Sequence, residues 1–558
     1  MMYLTGAEIV IRCLMEQGVD TVFGYPGGSA LNLYDALYRH SGDIRHILMC
    51  HEQGAAHAAD GYARASGKPG VAISTSGPGA TNLVTGIATA FLDSSPLIAI
   101  TSNVATALLG KSSFQEVDIT SITRSITKKN FLVKDVSQLA GTMRLAFKTA
   151  MSGRPGPVLV DIPKDVTGAK ADYEFQTPEP AVSSENAINS SDVDRAAGAI
   201  EKSRRPLIIA GGGVRLAHAE AGLAEFVRRV SAPVAETLMG IGCYPETEPD
   251  FIGMIGMHGT QASGRTASEC DLLIALGTRF SDRVTCDAAR FAPKARILHI
   301  DVDKHEIGKN VRADISVTGD VREVLKMLCA RLPKLRHSEW LNRVAGWKKA
   351  EKESRRNERA GVTPRRVIGE LYRLTGGSAT VTTEVGQHQM WAAQYYPFVE
   401  ARKFITSGGL GTMGFGLGAA IGAQIAKPRD KVVNIAGDGS FYMNMAELST
   451  AVKYNLPVVE LVLNNQVLGM VRQWQKLFYG SRFSQSVIKK PTDYVMLARA
   501  LGVEGFEIRA QGDIRPMLEK ALSCGGPCLV NCHIGMDENV LPMVPASAAL
   551  SEPVLSLD

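Results

Sequence analysis

"KVVNIAGDGSFYMNMAELSTAVKYNLPVVELVLNN" occupies residues 431–465. A largely apolar run ends at the Gly437 turn, and helix formers at helical spacing follow it. Asn455–Pro457 break that pattern, and a second apolar run ends in two asparagines. Strand, turn, helix and strand in that order predict two parallel neighbours joined by a crossover. Asp438 and Asn465 then meet at the carboxyl edge of one sheet, where open α/β sheets bind ligands. A carboxylate and an amide oxygen suit a hard divalent cation. The helix start after "GDGS" offers free N–H groups to an anion, so a metal-bridged diphosphate fits. The same residues also fit a plain helix cap and a turn.

Outward from this stretch the alternation recurs. "TVFGY", "GVAISTS", "PLIAITS" and "PVLVDIP" punctuate the N-terminal third, and "PLIIAGGG", "PVAET", "LLIALG" and "RILHIDVD" the middle. The predicted fold is three doubly wound α/β domains with mostly parallel sheets, over 1–170, 190–335 and 360–545. Residues 167–191, rich in Pro and Ser, read as a linker, and the charged run 347–366 as a solvated helix and linker.

Composition agrees with a soluble globular chain. Its 558 residues are 45% hydrophobic and 21% charged with a net charge of +5, too mild to imply nucleic acid. Nine scattered cysteines with no CxxC pair argue against zinc and a disulfide framework, and for reduced thiols in a cytoplasmic protein. The N-terminus does not read as a signal peptide, and no apolar run reaches the ~20 residues of a membrane helix.

Three further segments carry chemistry. "HEQGAAHAADGYAR" (51–64) places Glu52 in a first helical turn, where a lone acid is ordinarily a dipole partner. "SGGLGTMGFGLGAAIGA" (407–423) suits close helix packing. "TTEVGQHQMWAAQYY" (382–396) holds a histidine that by itself reads as structural. Together with "GDG…NN" they resemble the thiamine-diphosphate enzymes. "FQEVDI" (114–119), "GRPGPVLVDIPKDV" (153–166), "GMHGT" (256–260), "RFSDRVT" (279–285), "HIDVDKHEIGKN" (299–310) and "VRQWQK" (471–476) narrow the resemblance to the acetohydroxyacid synthase (acetolactate synthase) large-subunit family, over nearly the whole chain.

That resemblance implies thiamine diphosphate, Mg²⁺ and FAD as cofactors. Asp438, Asn465 and the Val467 carbonyl are implied to hold the metal. Gly439, Ser440, Gln387 and His388 are implied to lie near the diphosphate and Val385 and Gly386 elsewhere at the cofactor, with the Gly411 carbonyl on the aminopyrimidine and Met413 wedged beneath the cofactor. Glu52 is implied as the activating acid, facing the diphosphate domain of another chain, so the expected assembly is a homodimer or homotetramer. Gly211, Gly212, Gly213, Arg154, His258, Arg279, Asp301 and Asp320 are implied at FAD. Arg283 is the candidate cation for the acceptor carboxylate; a local pair with Asp282 is its rival. Trp474 is implied to shape the acceptor pocket, against a plain core or interface aromatic. Phe114, Gln115, Lys164 and Gly28 are implied near the donor site or its entrance.

The implied reaction decarboxylates pyruvate and ligates its two-carbon unit to a second 2-ketoacid, pyruvate or 2-ketobutyrate, in branched-chain amino-acid biosynthesis. Members of the family often pair with a regulatory small subunit. Rival readings are a pyruvate oxidase or decarboxylase, and a non-catalytic cofactor-binding homologue. Departures from the family pattern are Ser29, Cys50 before "HE", Gly418 where proline is usual, and the tail "PASAAL" (545–550).

Overall fold

The computed structural model describes residues 2–179, 187–354 and 360–557. Three six-stranded sheets organise it, and every pairing within them is parallel. In the N-terminal sheet the strands lie side by side as Arg45–Leu48, Thr21–Gly24, Gly70–Ser74, Leu97–Asn103, Val158–Pro163 and Lys129–Leu132. The C-terminal sheet repeats that plan with Phe404–Ile405, Thr380–Thr383, Val432–Gly437, Val458–Asn464, Cys528–His533 and Glu504–Ile508. Numbered within each sheet, both run 2-1-3-4-6-5. The likeness was invisible in sequence because it resides in strand order.

The central sheet differs. Phe251–Met254, Val234–Glu236, Pro206–Ala210, Leu272–Leu276, Arg296–Asp301 and Ile315–Thr318 run 3-2-1-4-5-6, the order of dinucleotide-binding sheets. Its switch point falls between Pro206–Ala210 and Leu272–Leu276, which are paired in register.

The central strands of these sheets are buried on both faces, as continuous Val/Ile/Leu runs require. The short strands Lys129–Leu132, Phe251–Met254, Ile315–Thr318, Phe404–Ile405 and Glu504–Ile508 were not foreseen; all five lie at sheet edges, where a two-sided apolar run is not needed.

One linker reading needs correction. Lys170–Tyr173, inside the expected linker 167–191, is a strand paired antiparallel with Met2–Thr5. Its residues alternate exposed and buried, with Ala171 and Tyr173 inward, which a polar average conceals. Residues 180–186 of that segment lie outside the described residues. The run 347–366 opens on the largely exposed end of helix Ser338–Ser354, whose earlier residues Trp340 and Val344 dock on the central core, with Trp347 edge-on to Trp340. Residues 355–359 are outside the described set, and Pro364 opens the next helix.

The N- and C-terminal domains join through helices Glu52–Ser66 and Gly416–Ala426. Both are rich in Gly and Ala on the facing sides, so their backbones nearly touch. A Cβ on Gly422 would lie 1.8 Å from the Ala58 carbonyl oxygen, and one on Gly61 2.2 Å from that of Ala419. At Gly418 a Cβ would meet His57 Cβ at 3.0 Å, so the departure there matches the tight fit. Among the described residues no helix is long and apolar enough to cross a membrane.

Candidate active site

The crossover read in residues 431–465 forms, with Val432–Gly437 and Val458–Asn464 adjacent and parallel. Asp438 follows the first strand and Asn465 the second. The backbone N–H groups of Asn465 and Gln466 reach the Asp438 carboxylate, so the two loops are in contact. Asp438 is not the helix cap; Gly437 is. Asp438 is 2% exposed, and burial pushes its carboxyl up to about 6. A buried acid with no cation beside it is what a divalent ion would neutralise. Gln466 adopts φ 58°, turning the loop between Asn465 and Val467 back on itself. Asn465 Oδ1 accepts the Val467 N–H at 3.2 Å. Among the described residues no group of three His, Cys, Asp or Glu could hold a metal, so this oxygen set is the candidate.

The switch point of this sheet lies between Thr380–Thr383 and Val432–Gly437. Val385 and Gly386 leave the first strand, and Asp438 the second. The His388 ring packs over Gly386 and Gly437, is held neutral by burial (about 3), and has an unpartnered Nε2. Gln387 bonds Gln473 Oε1 at 3.0 Å and the Glu538 carbonyl at 2.9 Å, and lies 3.4 Å from Asn465 Nδ2. Gly439 and Ser440 continue from Asp438, with Ser440 Oγ donating to the Gly437 carbonyl. The residues present fit a metal-bound diphosphate: an uncompensated acid, an amide beside it and an orphaned imidazole nitrogen.

Glu384, which the sequence reading passed over, accepts the Gly414 N–H at 2.6 Å and the Leu417 N–H at 3.2 Å. It thereby pins the segment that follows Met413. Burial raises its carboxyl to about 7. Asp93 was also missed. It accepts the Gly408 and Gly409 N–H groups at 3.1 and 2.7 Å and is bridged by Arg64, whose other partners are Asp60 and the Thr406 carbonyl. One signal existed: Asp60 and Arg64 stand four apart on a helix. No local pattern joins Asp93 to residue 408.

A cavity of about 860 Å³ opens where the three domains meet, inside the range of cofactor pockets. Gly212, Gly213, His258, Arg279, Asp301 and Asp320 line it from the central domain and Arg154 from the N-terminal one. Val385, Gly386 and Gly411 line it from the C-terminal domain. Gly212 and Gly213 follow one switch-point strand and Gly277 the other. Asp301 ends strand Arg296–Asp301, and burial raises its carboxyl to about 6. Asp320 caps helix Val321–Arg331 through the Arg322 N–H. Arg154 is paired with Glu306 at 2.7 Å and Asp303 at 3.6 Å. His258 has an unpartnered Nδ1 and is kept neutral by burial (about 4). Sheet order, glycine turns and strand-end acid fit an FAD-sized dinucleotide. Gly211 does not line the cavity; a Cβ there would lie 2.3 Å from the Gly277 carbonyl oxygen, so this glycine lets two strand ends close.

Arg283 and Trp474 meet on the cavity wall, guanidinium over indole at 5.4 Å. The local partner also exists, but Asp282 is 3.8 Å away and both side chains are more than half exposed. A pair so solvated is worth little. Trp474 packs edge-on against Phe478, and its Nε1 has no partner.

Glu52 belongs to a separate cluster on the N-terminal sheet. It is 8% exposed, opens helix Glu52–Ser66 and accepts from Asn82 Nδ2 at 2.9 Å. A Cβ on Gly79 would lie 3.2 Å from its Oε1 and 2.7 Å from Thr75 Cγ2. Ser29 beside Gly28 bonds Thr75 and Ser76, so the departure at Ser29 closes this corner. Gln115 abuts Gly77 at φ 58°. Within one chain this cluster does not line the cavity. Phe114 is 87% exposed, Lys164 is exposed, and Met413 is off the cavity wall. Cys50, the other departure, sends its N–H to Glu447, not to Glu52.

Comparison with known proteins covers all three domains. The models for the thiamine pyrophosphate enzyme N-terminal TPP binding domain, central domain and C-terminal TPP binding domain match residues 4–122, 193–328 and 384–532. The chain is 46% identical to a probable acetolactate synthase large subunit of Methanocaldococcus jannaschii, covering 98% of this chain and 95% of that protein. It is 45% identical to the acetolactate synthase isozyme 2 large subunit of Escherichia coli, over 98% and 99%. It is 43% identical to the mitochondrial acetolactate synthase catalytic subunit of Saccharomyces cerevisiae, over 98% and 83%.

Proposed function

The chain belongs to the thiamine pyrophosphate enzymes, in the acetolactate synthase large-subunit family, and on that premise we propose how its residues divide the work. Its activity is thiamine-diphosphate-dependent synthesis of acetolactate, and its substrates are 2-ketoacids. Thiamine diphosphate, when bound, supplies the electron sink that decarboxylation needs.

Asp438, Asn465 and the Val467 carbonyl hold Mg²⁺, and Gly439, Ser440, Gln387 and His388 surround the diphosphate. Val385, Gly386 and Gly411 contact the remainder of the cofactor, and Met413 supports it from below. Glu52 holds the proton at a ring nitrogen of the aminopyrimidine, in a pocket dry enough to keep that proton in place. Glu52, held by Asn82 on the N-terminal sheet, serves the diphosphate domain of a second copy, and the working unit is a homodimer. Gly28 and Gln115 close the donor corner beside it, with Phe114 and Lys164 at the entrance.

Arg283 binds the acceptor carboxylate through two N–H groups, and its cation–π contact with Trp474 sets the guanidinium plane. Trp474 shapes the acceptor pocket and favours 2-ketobutyrate over pyruvate. Arg154, Gly212, Gly213, His258, Arg279, Asp301 and Asp320 hold FAD. We further assign a regulatory small-subunit partner, a biosynthetic role and a cytoplasmic location.

One observation carries the cofactor assignment: Asp438, buried without a cation, in contact with the Asn465 loop at the switch edge of the third sheet. The test incubates pure protein with pyruvate, thiamine diphosphate and Mg²⁺ while recording the flavin spectrum. Acetolactate with an unchanging oxidised flavin is expected. Free acetaldehyde as the main product, or flavin that cycles with turnover, refutes the ligase reading.

A further inference from the structure

The cavity holds a charge that nothing in the protein answers. Arg215 lies two residues beyond Gly213, is 4% exposed and lines the cavity. Its strongest charged neighbours are the cations Arg402 and Arg64, and the one nearby carboxylate, Asp93, is already bridged by Arg64. Arg64 is spent on Asp60, Asp93 and the Thr406 carbonyl. Arg402 donates to the backbone carbonyls of Arg64 and Arg215, each at 3.1 Å, and to His218 Nε2 at 3.2 Å. Among the described residues no carboxylate or carbonyl bonds the Arg215 guanidinium. Burial and the charges of Arg402 and Arg64 push it down to about 10.

Across the switch point the other strand delivers Arg279. Its guanidinium also lacks an ion pair among the described residues and is lowered by burial and by Arg154. Between the two arginines lie Gly213 and Gly277, so close that a Cβ on Gly277 would be 2.5 Å from Gly213 Cα. Arg154, by contrast, is already neutralised by Glu306. A buried guanidinium without an anion is costly and persists where an anionic ligand completes it.

We propose that Arg215 binds a phosphate oxygen of the dinucleotide held in this cavity, from the strand opposite Arg279. The resemblance does not assign Arg215, and the proposal rests on reading the cavity as the FAD site. It implies a conflict between holding the cofactor and holding the empty fold: the arginine stabilises the loaded protein and destabilises the apoprotein.

The experiment strips flavin from the full-length parent, Arg215→Met and Arg215→Lys, titrates FAD by fluorescence quenching at low and high salt, and records thermal unfolding with and without FAD. Methionine keeps the apolar stem without the charge. Arg215→Met should bind FAD at least about tenfold more weakly, with a shallower salt dependence. Its apoprotein should melt higher than the parent apoprotein, and Arg215→Lys should fall between. Equal FAD affinity in parent and Arg215→Met overturns this inference alone, as does an Arg215→Met apoprotein that melts lower than the parent. A parent that takes up no flavin overturns both this inference and the FAD reading.

Discussion

Gly422→Ala tests the contact on which the position of Glu52 depends. The new Cβ would sit 1.8 Å from the Ala58 carbonyl oxygen, 2.7 Å from Ala58 C and 2.8 Å from Tyr62 N. These are backbone atoms of helix Glu52–Ser66, so no side chain can swing away. A tolerable carbon–oxygen contact is about 3.2 Å, so the helices must part by roughly 1.4 Å. Overpacking of this kind costs about 1–3 kcal/mol, from which about 1 kcal/mol of helix propensity is recovered. The catalytic cost is larger, because Glu52 rides on the displaced helix. A shift of about 1 Å in a reacting group costs about 10²-fold in rate. Gly369→Ala is the control: it lies in helix Pro364–Thr375 and its Cβ would meet nothing within 4 Å. The assay is steady-state acetolactate formation together with the temperature of half-inactivation. Gly422→Ala should lose activity about 10–100-fold and inactivate at lower temperature, while Gly369→Ala keeps full activity and gains slightly in heat tolerance. If the two variants behave alike, the interlocked helices do not set the position of the acid.

Glu52→Gln should abolish turnover while thiamine diphosphate still binds; full activity would remove Glu52 from its role. Asp438→Ala should lose Mg²⁺-dependent cofactor binding, read by calorimetry, and unchanged affinity would discredit the metal site. Trp474→Leu should lower the acetohydroxybutyrate-to-acetolactate ratio in mixed-substrate assays, and an unchanged ratio returns the indole to a packing role. Burial raises Glu384 from an ordinary 4.5 to about 7, so its ionisation opposes folding. That cost is absent below about pH 4.5 and complete above about pH 7, so stability falls as pH rises between them. Glu384→Gln should flatten this slope in pH-dependent melting curves, and an unchanged slope refutes the assignment.

The fold class was legible because its signal is local. Two-sided burial of a parallel strand demands a mainly apolar run: Leu272–Leu276 is apolar throughout, and in Val432–Gly437 and Val458–Asn464 the runs are broken inside only by Asn434 and Glu460, which bond each other. Lys170–Tyr173 escaped because a four-residue alternation inside a polar stretch is too short to read. The meeting of Asp438 with Asn465 could be foreseen because one crossover connects them. The Asp93 clamp on Gly408 and Gly409, and the hold of Glu384 on the Met413 loop, could not. They join residues whose pairing no periodicity records.

By itself the chain's order of residues determined which segments become strands, which turn ends in a carboxylate and which in an amide, and hence the edge proposed to bear the metal. Only the tertiary structure decided that the first and third sheets share one strand order and the second another. It alone showed that Glu52 is buried away from its own cavity, and that Arg215 faces that cavity with no carboxylate bonded to it among the described residues. The division has a physical cause. Hydrophobic period and turn chemistry act over a few neighbouring residues, whereas charge compensation and helix contact depend on distances in space between groups hundreds of residues apart.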